Sequence, residues 1–495
     1  MPTEYTYPGS SPAERDRSSP RLTLTRRQRR LPAEQERSLT NTPTAGTGNP
    51  WTEERDTDHH RGFTAGTPSF LRSMNERTVL ELIRRQGPLS RAQVARDTGL
   101  SKPTVSLALV SLLREGLVRE VGRSRGGKGP SAALYELDPT AGWVVGIDVG
   151  RRWLRAAIAD ISGTIVARRD ERAMVRSAQA LIGQIGRIAH DLASEAGVRW
   201  SQISHATIGS PGVFDPVRGL VEMAPNLPGW GRHGLVEAVR DELGTNVAFE
   251  NDVNLAALGE RASGHGRGVS NFVYLWIGTG IGIGIVLNGE LYRGSRGAAG
   301  EIGYLPLGIA DPHDPENRRR GAFEEAAAAA GVVRLAQAHR MRAPLSAERV
   351  FAAARRGDSA ALDVVGTEAR RVALGIAAIC AVLDPELVVL GGGVGRSGDL
   401  LVAPLEAELH AISPFRPRVA VSALGEDAVL HGAVATALEA GRQRVFARSR
   451  SGDGGRPAGR SPQGARTERT GNGEEPRRRR TARPARPALT AAARR

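Results

Sequence analysis

Three features of this 495-residue chain predict an α/β body preceded by a winged helix-turn-helix domain. The stretch from Ser90 to Leu113 reads as two short helices around a tight turn, followed by a basic hairpin. From Trp143 to about Gly441, strand-like hairpins alternate with helical segments, which implies a mixed sheet covered by helices. In that body, apolar strands repeatedly end in glycine-rich turns or polar clusters, the places where open α/β sheets bind ligands.

Residues 1–66 are rich in Pro, Thr, Ser and Arg and cannot bury enough surface to offset chain entropy, so a disordered tail is expected. The winged domain is expected over 67–139. A first helix, about Asn75 to Gln86, supplies Val79, Leu82 and Ile83 to a small core. Ser90 caps the second helix, with Gln93 completing a capping box and Val94 and Ala95 forming its apolar face. Gly99 then suits a left-handed turn. Ser101 caps the third helix and Pro103 sits in its first turn, where a missing N–H costs nothing. Val105, Leu109, Leu112 and Leu113 recur at helical spacing and are predicted to point inward. Ser101, Lys102, Thr104 and Ser106 are then the outward residues, short polar or basic side chains suited to the major groove. Two strands follow, LVREV and ALYEL. The loop between them carries Arg123, Arg125 and Lys128 as a wing able to lie along phosphates. Lys102 and Lys128 are the only lysines of the chain. A helical domain that binds protein is the competing reading, and the basic wing favours DNA.

The body, expected over 142–442, opens with strands WVVGIDV and LRAAIAD around a turn, then GTIVARR. A helix bearing Leu181, Ile185 and Ile188 comes next, followed by the buried strand of HATIGSPGVFD. VAFENDVNLAALGE is a strand running into a helix, with Glu250, Asn251 and Asp252 at the strand's end. FVYLWIGTGIGIGIVLNGELYRG is a strand, a glycine-rich turn and a second strand closed by an Asn-Gly hairpin turn. LDPELVVLGGGVG is another strand leading into a glycine turn and a helix. Residues 443–495, with the run Arg477 to Arg480, are expected to form a disordered basic tail.

The formal net charge of +15 fits a polyanion partner, although much of it lies in the tails. The single cysteine, Cys380, excludes a disulfide framework and fits a reducing cytoplasm. No apolar run is long enough to span a bilayer, no signal-peptide layout opens the chain, and no solenoid period repeats.

The segments IGSPGVFD, APNLPGW, ENDVNLAALGE, GTGIGIGIVLNGELYRG, GAAGEIG and DPELVVLGGG occur in the order found in the ROK family of repressors, open reading frames and sugar kinases. The body resembles that family over nearly all of 143–440, and the winged head resembles that of its regulators. The resemblance implies an actin-like, two-lobed sugar-kinase fold with a sugar between the lobes. It implies that Asn251, Asp252, Glu301 and Glu324 hydrogen-bond sugar hydroxyls, and that Asp252 matches the catalytic base of the family's kinases.

Two departures stand out. The kinase pattern Asp-x-Gly-Gly-Thr becomes Asp148-Val149-Gly150-Arg151-Arg152, whose bulk is expected to disturb a phosphate-binding loop, so ATP use is doubtful and no catalytic residue is assigned. The family's zinc-binding His is Tyr304, the stretch LGIADPHDPENRRRGAFEE after it contains no cysteine, and the nearby His313 is single, so no metal and no cofactor are expected. The sequence thus favours a sugar-responsive regulator, a repressor of carbohydrate metabolism. It would bind operator duplex DNA as a homodimer or homotetramer, with a sugar or sugar derivative as effector and no membrane partner. An active sugar kinase with an appended DNA head, and a regulator that binds a sugar phosphate or nothing, remain the alternatives.

Overall fold

The computed structural model describes residues 67–124, 131–215, 218–222, 227–307, 311 and 313–451. Both predicted tails lie outside that range, except that the C-terminal helix enters the second.

The head comprises α1 (Pro68–Gln86), β1 (Leu89–Ser90), α2 (Arg91–Thr98), α3 (Lys102–Arg114), β2 (Val118–Arg123) and β3 (Ala133–Leu137). Helix α1 starts at Pro68 rather than near Asn75, because the Thr67 hydroxyl accepts from the Phe70 amide and Pro68 fits the first turn. Ser90 and Gln93 form the expected capping box, Gly99 turns the chain at φ 71°, and Ser101 caps α3. Val79, Ile83, Val94, Val105, Leu109 and Leu112 are buried around Tyr135. The sheet order β1-β3-β2 puts the hairpin of the wing beside the helices, with the two-residue β1 pairing Leu89 to Tyr135.

The first lobe contains β4 (Trp143–Val149), β5 (Trp153–Asp160), β6 (Ile165–Arg172), α4 (Ala178–Glu195), β7 (Ile203–Ser210), the hairpin β8 (Val213–Asp215) and β9 (Leu220–Glu222), α5 (Leu235–Leu243) and β10 (Val247–Asn251). Helix α6 (Asp252–Ser263) leads to the second lobe: β11 (Phe272–Ile277), β12 (Ile281–Leu287), β13 (Glu290–Tyr292), α7 (Pro315–Arg320), α8 (Ala322–Ala327), α9 (Ala329–Ala338), α10 (Ala347–Arg355), α11 (Ser359–Leu383), β14 (Leu387–Gly391), α12 (Gly392–Gly395), α13 (Gly398–Ile412) and β15 (Arg418–Val421). Helix α14 (Ala428–Ser451) is the last described element.

The two five-stranded sheets, β10-β7-β4-β5-β6 and β13-β12-β11-β14-β15, share one topology. In each, an antiparallel three-strand meander continues into two parallel strands added on the other side of its first strand. That duplication is the two-lobed, mixed-sheet architecture expected from the family resemblance. It carries no repeat visible in sequence, because the sheets are filled by different side chains. No described helix is long and apolar enough to cross a membrane.

Helices α6 and α14 join the lobes. Leu255, Ala256 and Ala257 of α6 and Ala428, Val429 and Ala433 of α14 share a core with Phe272, Tyr274 and Val286 of the second lobe. A Cβ on Gly432 of α14 would lie 1.8 Å from the Leu255 carbonyl, and one on Gly259 of α6 would lie 2.2 Å from that of Ala428, so the two backbones touch where they cross. Further along, Leu430, Val434, Ala437 and Leu438 cover the outer face of the first sheet at Val144, Ala157 and Ala159. The helix does not stop at the expected boundary of 442. Val445 and Phe446 pack against the core of the head, and that apolar pair extends the helix to Ser451.

Candidate functional site

The carboxylates singled out in the sequence meet between the lobes. Strand β10 ends at Asn251, which caps α6: its side-chain oxygen accepts from the amides of Val253 at 2.9 Å and Asn254 at 3.1 Å, and its NH2 donates to the Gly212 carbonyl at 2.9 Å. Glu250 is buried and spent internally, accepting from the Asn251 amide, the Asn254 side chain and Arg293. Asp252, the first residue of α6, accepts from its neighbouring Val253 amide at 2.9 Å. Burial pushes its carboxyl up to about 7, and the charges of Asp148 and Glu301 add to that rise. Asp148 of β4 and Glu301, which follows β13, thus lie near enough for their charges to act on Asp252.

Glu301 precedes a single 3-10 turn at Ile302–Tyr304, and its pKa is raised by burial and then by the charge of Glu324. Glu324, on α8, is held by the Ile281 amide at 3.1 Å and by Arg320 at 3.2 Å. Tyr304 is 44% exposed and its hydroxyl donates to the Arg319 carbonyl, so it borders the site rather than filling it. The residues present do not fit a zinc ion: tyrosine stands at the histidine position, and the one cysteine, Cys380, is buried in α11.

The arginine pair sits at the turn between β4 and β5. The Gly150 amide donates to the Trp153 carbonyl at 2.9 Å, closing a tight hairpin with Arg151 and Arg152 exposed at its tip. Next to this hairpin stands Arg155, which the sequence reading passed over. It faces Asp148 across the β4–β5 ladder and donates to its carboxylate at 3.0 Å, while also reaching Glu426 at 3.1 Å. Asp148 is nevertheless raised to about 6, because burial outweighs the pull of Arg155.

In the head, Ser101 and Lys102 are exposed at the start of α3, but Thr104 and Ser106 are half-buried. Thr104 turns back to the cap, its hydroxyl 2.8 Å from that of Ser101. The face directly opposite the core carries Pro103, Leu107, Val110 and Arg114 instead. The spacing of Val105, Leu109 and Leu112 already implied this, since α-helical positions advance by 100°. Arg123 is exposed at the end of β2, and Arg125 and Lys128 lie outside the described residues.

Residues 78–122 match the sequence model of the IclR helix-turn-helix domain. The xylose repressor of Bacillus subtilis is 27% identical over 347 residues, covering 69% of this chain and 88% of that protein. A glucokinase of Halalkalibacterium halodurans is 32% identical over 311 residues, covering 59% of this chain and 93% of that protein. The crystal structure of a ROK family transcriptional regulator, a homologue of the E. coli MLC protein, superimposes with a TM-score of 0.63 at 21% identity, over 76% of this chain and 99% of that one. Residues 144–440, more than half of the sequence, match the model of the ROK family, and the chain belongs to that family.

Proposed function

We propose that this protein is a DNA-binding repressor of carbohydrate metabolism, released from or held on its operator by a sugar or sugar derivative bound between the lobes. The observation that carries the reading is the course of α14. One helix shares a core with α6, whose first residue is Asp252, and another with the DNA-reading head. A ligand that favours one lobe arrangement therefore shifts the seat of the head through a continuous packed element. It does so only to the extent of its differential affinity for the two arrangements. Asp252, Glu301 and Glu324 present acceptors to hydroxyls, and Asn251 keeps one amide hydrogen beyond its bond to Gly212. The carboxylates repel phosphate, which favours an unphosphorylated polyol over a sugar phosphate.

A kinase reading draws on Asp252, whose proton affinity near neutrality suits a general base, and on the similarity to a glucokinase. The departure from the kinase pattern at Arg151-Arg152 weighs against it. Fluorescence anisotropy with duplexes from the protein's own upstream region, with and without a panel of monosaccharides, tests the proposal. Sugar-dependent binding that Glu301→Ala abolishes, with DNA affinity intact, is the expected result. ADP release with any hexose, lost in Asp252→Asn, would establish the kinase instead.

A further inference from the structure

The outward face of α3 is apolar at its centre. Leu107 is 71% exposed and Val110 56% exposed, on the side opposite buried Val105, Ala108, Leu109 and Leu112. Cations flank this stripe in the chain: Lys102 is exposed at the helix start, Arg114 at its end and Arg123 on the wing strand that follows, while Arg119 of that strand is paired with Glu136. An aliphatic pair flanked by cations is poorly matched to an apolar protein groove. It is well matched to a groove with anionic walls and methyl groups on its floor. Among the base edges of the major groove, only thymine offers a methyl group.

We infer that Leu107, seconded by Val110, reads thymine methyl groups and thereby sets an A·T preference within each operator half-site. The inference rests on the DNA-reading function proposed above. Leucine discriminates in two ways. It buries the thymine methyl, and it leaves the hydrogen-bonding edges of competing bases without a partner, which costs more than a merely absent contact. Lys102 and Arg123 then fix register on the phosphates, and the apolar pair supplies selectivity that the half-buried Thr104 and Ser106 are poorly placed to give.

The test begins with selection of binding sites from a random-sequence duplex pool by the full-length chain. In the enriched duplex, each thymine is then replaced singly by deoxyuridine, which removes only the methyl group. At one or more positions per half-site the wild type should lose about fourfold in affinity, the equivalent of burying one methyl. Leu107→Ala should be indifferent to the same replacement. Val110→Ala should lose sensitivity at a neighbouring thymine. Both residues are exposed, so an unchanged thermal midpoint verifies the fold of each variant. Neutral replacement at every thymine, or equal losses in wild type and Leu107→Ala, overturns the inference alone. So does a Leu107→Ala variant that keeps the selected sequence but changes its sedimentation, which would make the stripe a contact between protein chains. Failure to enrich any sequence overturns the DNA-reading function itself, and this inference with it.

Discussion

Asp252 stands in an environment that disfavours its own charge. Its carboxyl is raised from 3.8 to about 7, first by burial and then by Asp148. The folded protein therefore holds a proton that the unfolded chain gives up near pH 4. The stability that this proton represents is present at low pH and is lost as pH rises through 7. Asp252→Asn should accordingly raise the thermal midpoint by a few degrees at pH 8, each kcal/mol being worth roughly 2–4 °C in a domain of this size. The gain should vanish towards pH 4, and differential scanning fluorimetry at the two pH values checks it. Arg155 works in the opposite sense. Its side chain is 13% exposed and that of Asp148 7%, so Arg155→Ala strands a buried carboxylate. A loss of about 3 kcal/mol is expected at pH 8, shrinking as pH falls towards 6, where Asp148 takes up a proton, and urea denaturation reads it. Neither effect was legible in sequence. Arg155 looked like one more polar residue in a strand, because only the β4–β5 register sets it opposite Asp148, and its second partner Glu426 is 271 positions away.

At the scale of elements, local chemistry was readable and long-range packing was not. The Ser90–Gln93 box, the turn at Gly99 and the cap at Ser101 depend on residues at most a few positions apart, and all three are found where the pattern put them. The end of α14 was misread because Val445 and Phe446 sit in an arginine-rich run and look like tail until the head is placed against them. Asn251 was legible as a strand-end amide, but its use as the α6 cap depends on its backbone angles. The crossing of α6 and α14 also escaped the sequence, since glycine at 259 and 432 has no periodic signature. Gly432→Val should force these helices apart and cost on the order of 3 kcal/mol, the upper end of ordinary overpacking, measurable by chemical denaturation. Because the crossing carries the lobe junction, that variant should also blunt any ligand response.

For the whole molecule, the proposed switch makes a reciprocal demand. If a sugar weakens operator binding by some factor, the operator must weaken sugar binding by the same factor. Calorimetric titration of the sugar with and without saturating operator duplex should return matching ratios. Phe446→Ala, which loosens α14 from the head, should bring both ratios towards one while each partner still binds alone. A ratio that stays intact in this variant would move the coupling path away from α14. Long-range ion pairs contribute less here: Arg168 with Asp427 and Arg396 with Glu426 are largely solvated, and their energetic worth is small.

The position of α14 in the chain has a consequence for synthesis. Strands β4 and β5, the core of the head and the lobe junction are all translated before Leu430, Val434, Leu438 and Phe446 exist to cover them. A nascent chain still short of this helix exposes apolar surface in three places at once, which makes it a substrate for chaperones and proteases. A product ended early by a premature stop would carry an intact reading helix on an unfinished support. A copy that lacks α14 is therefore expected to be cleared rather than to accumulate with its helix-turn-helix head intact.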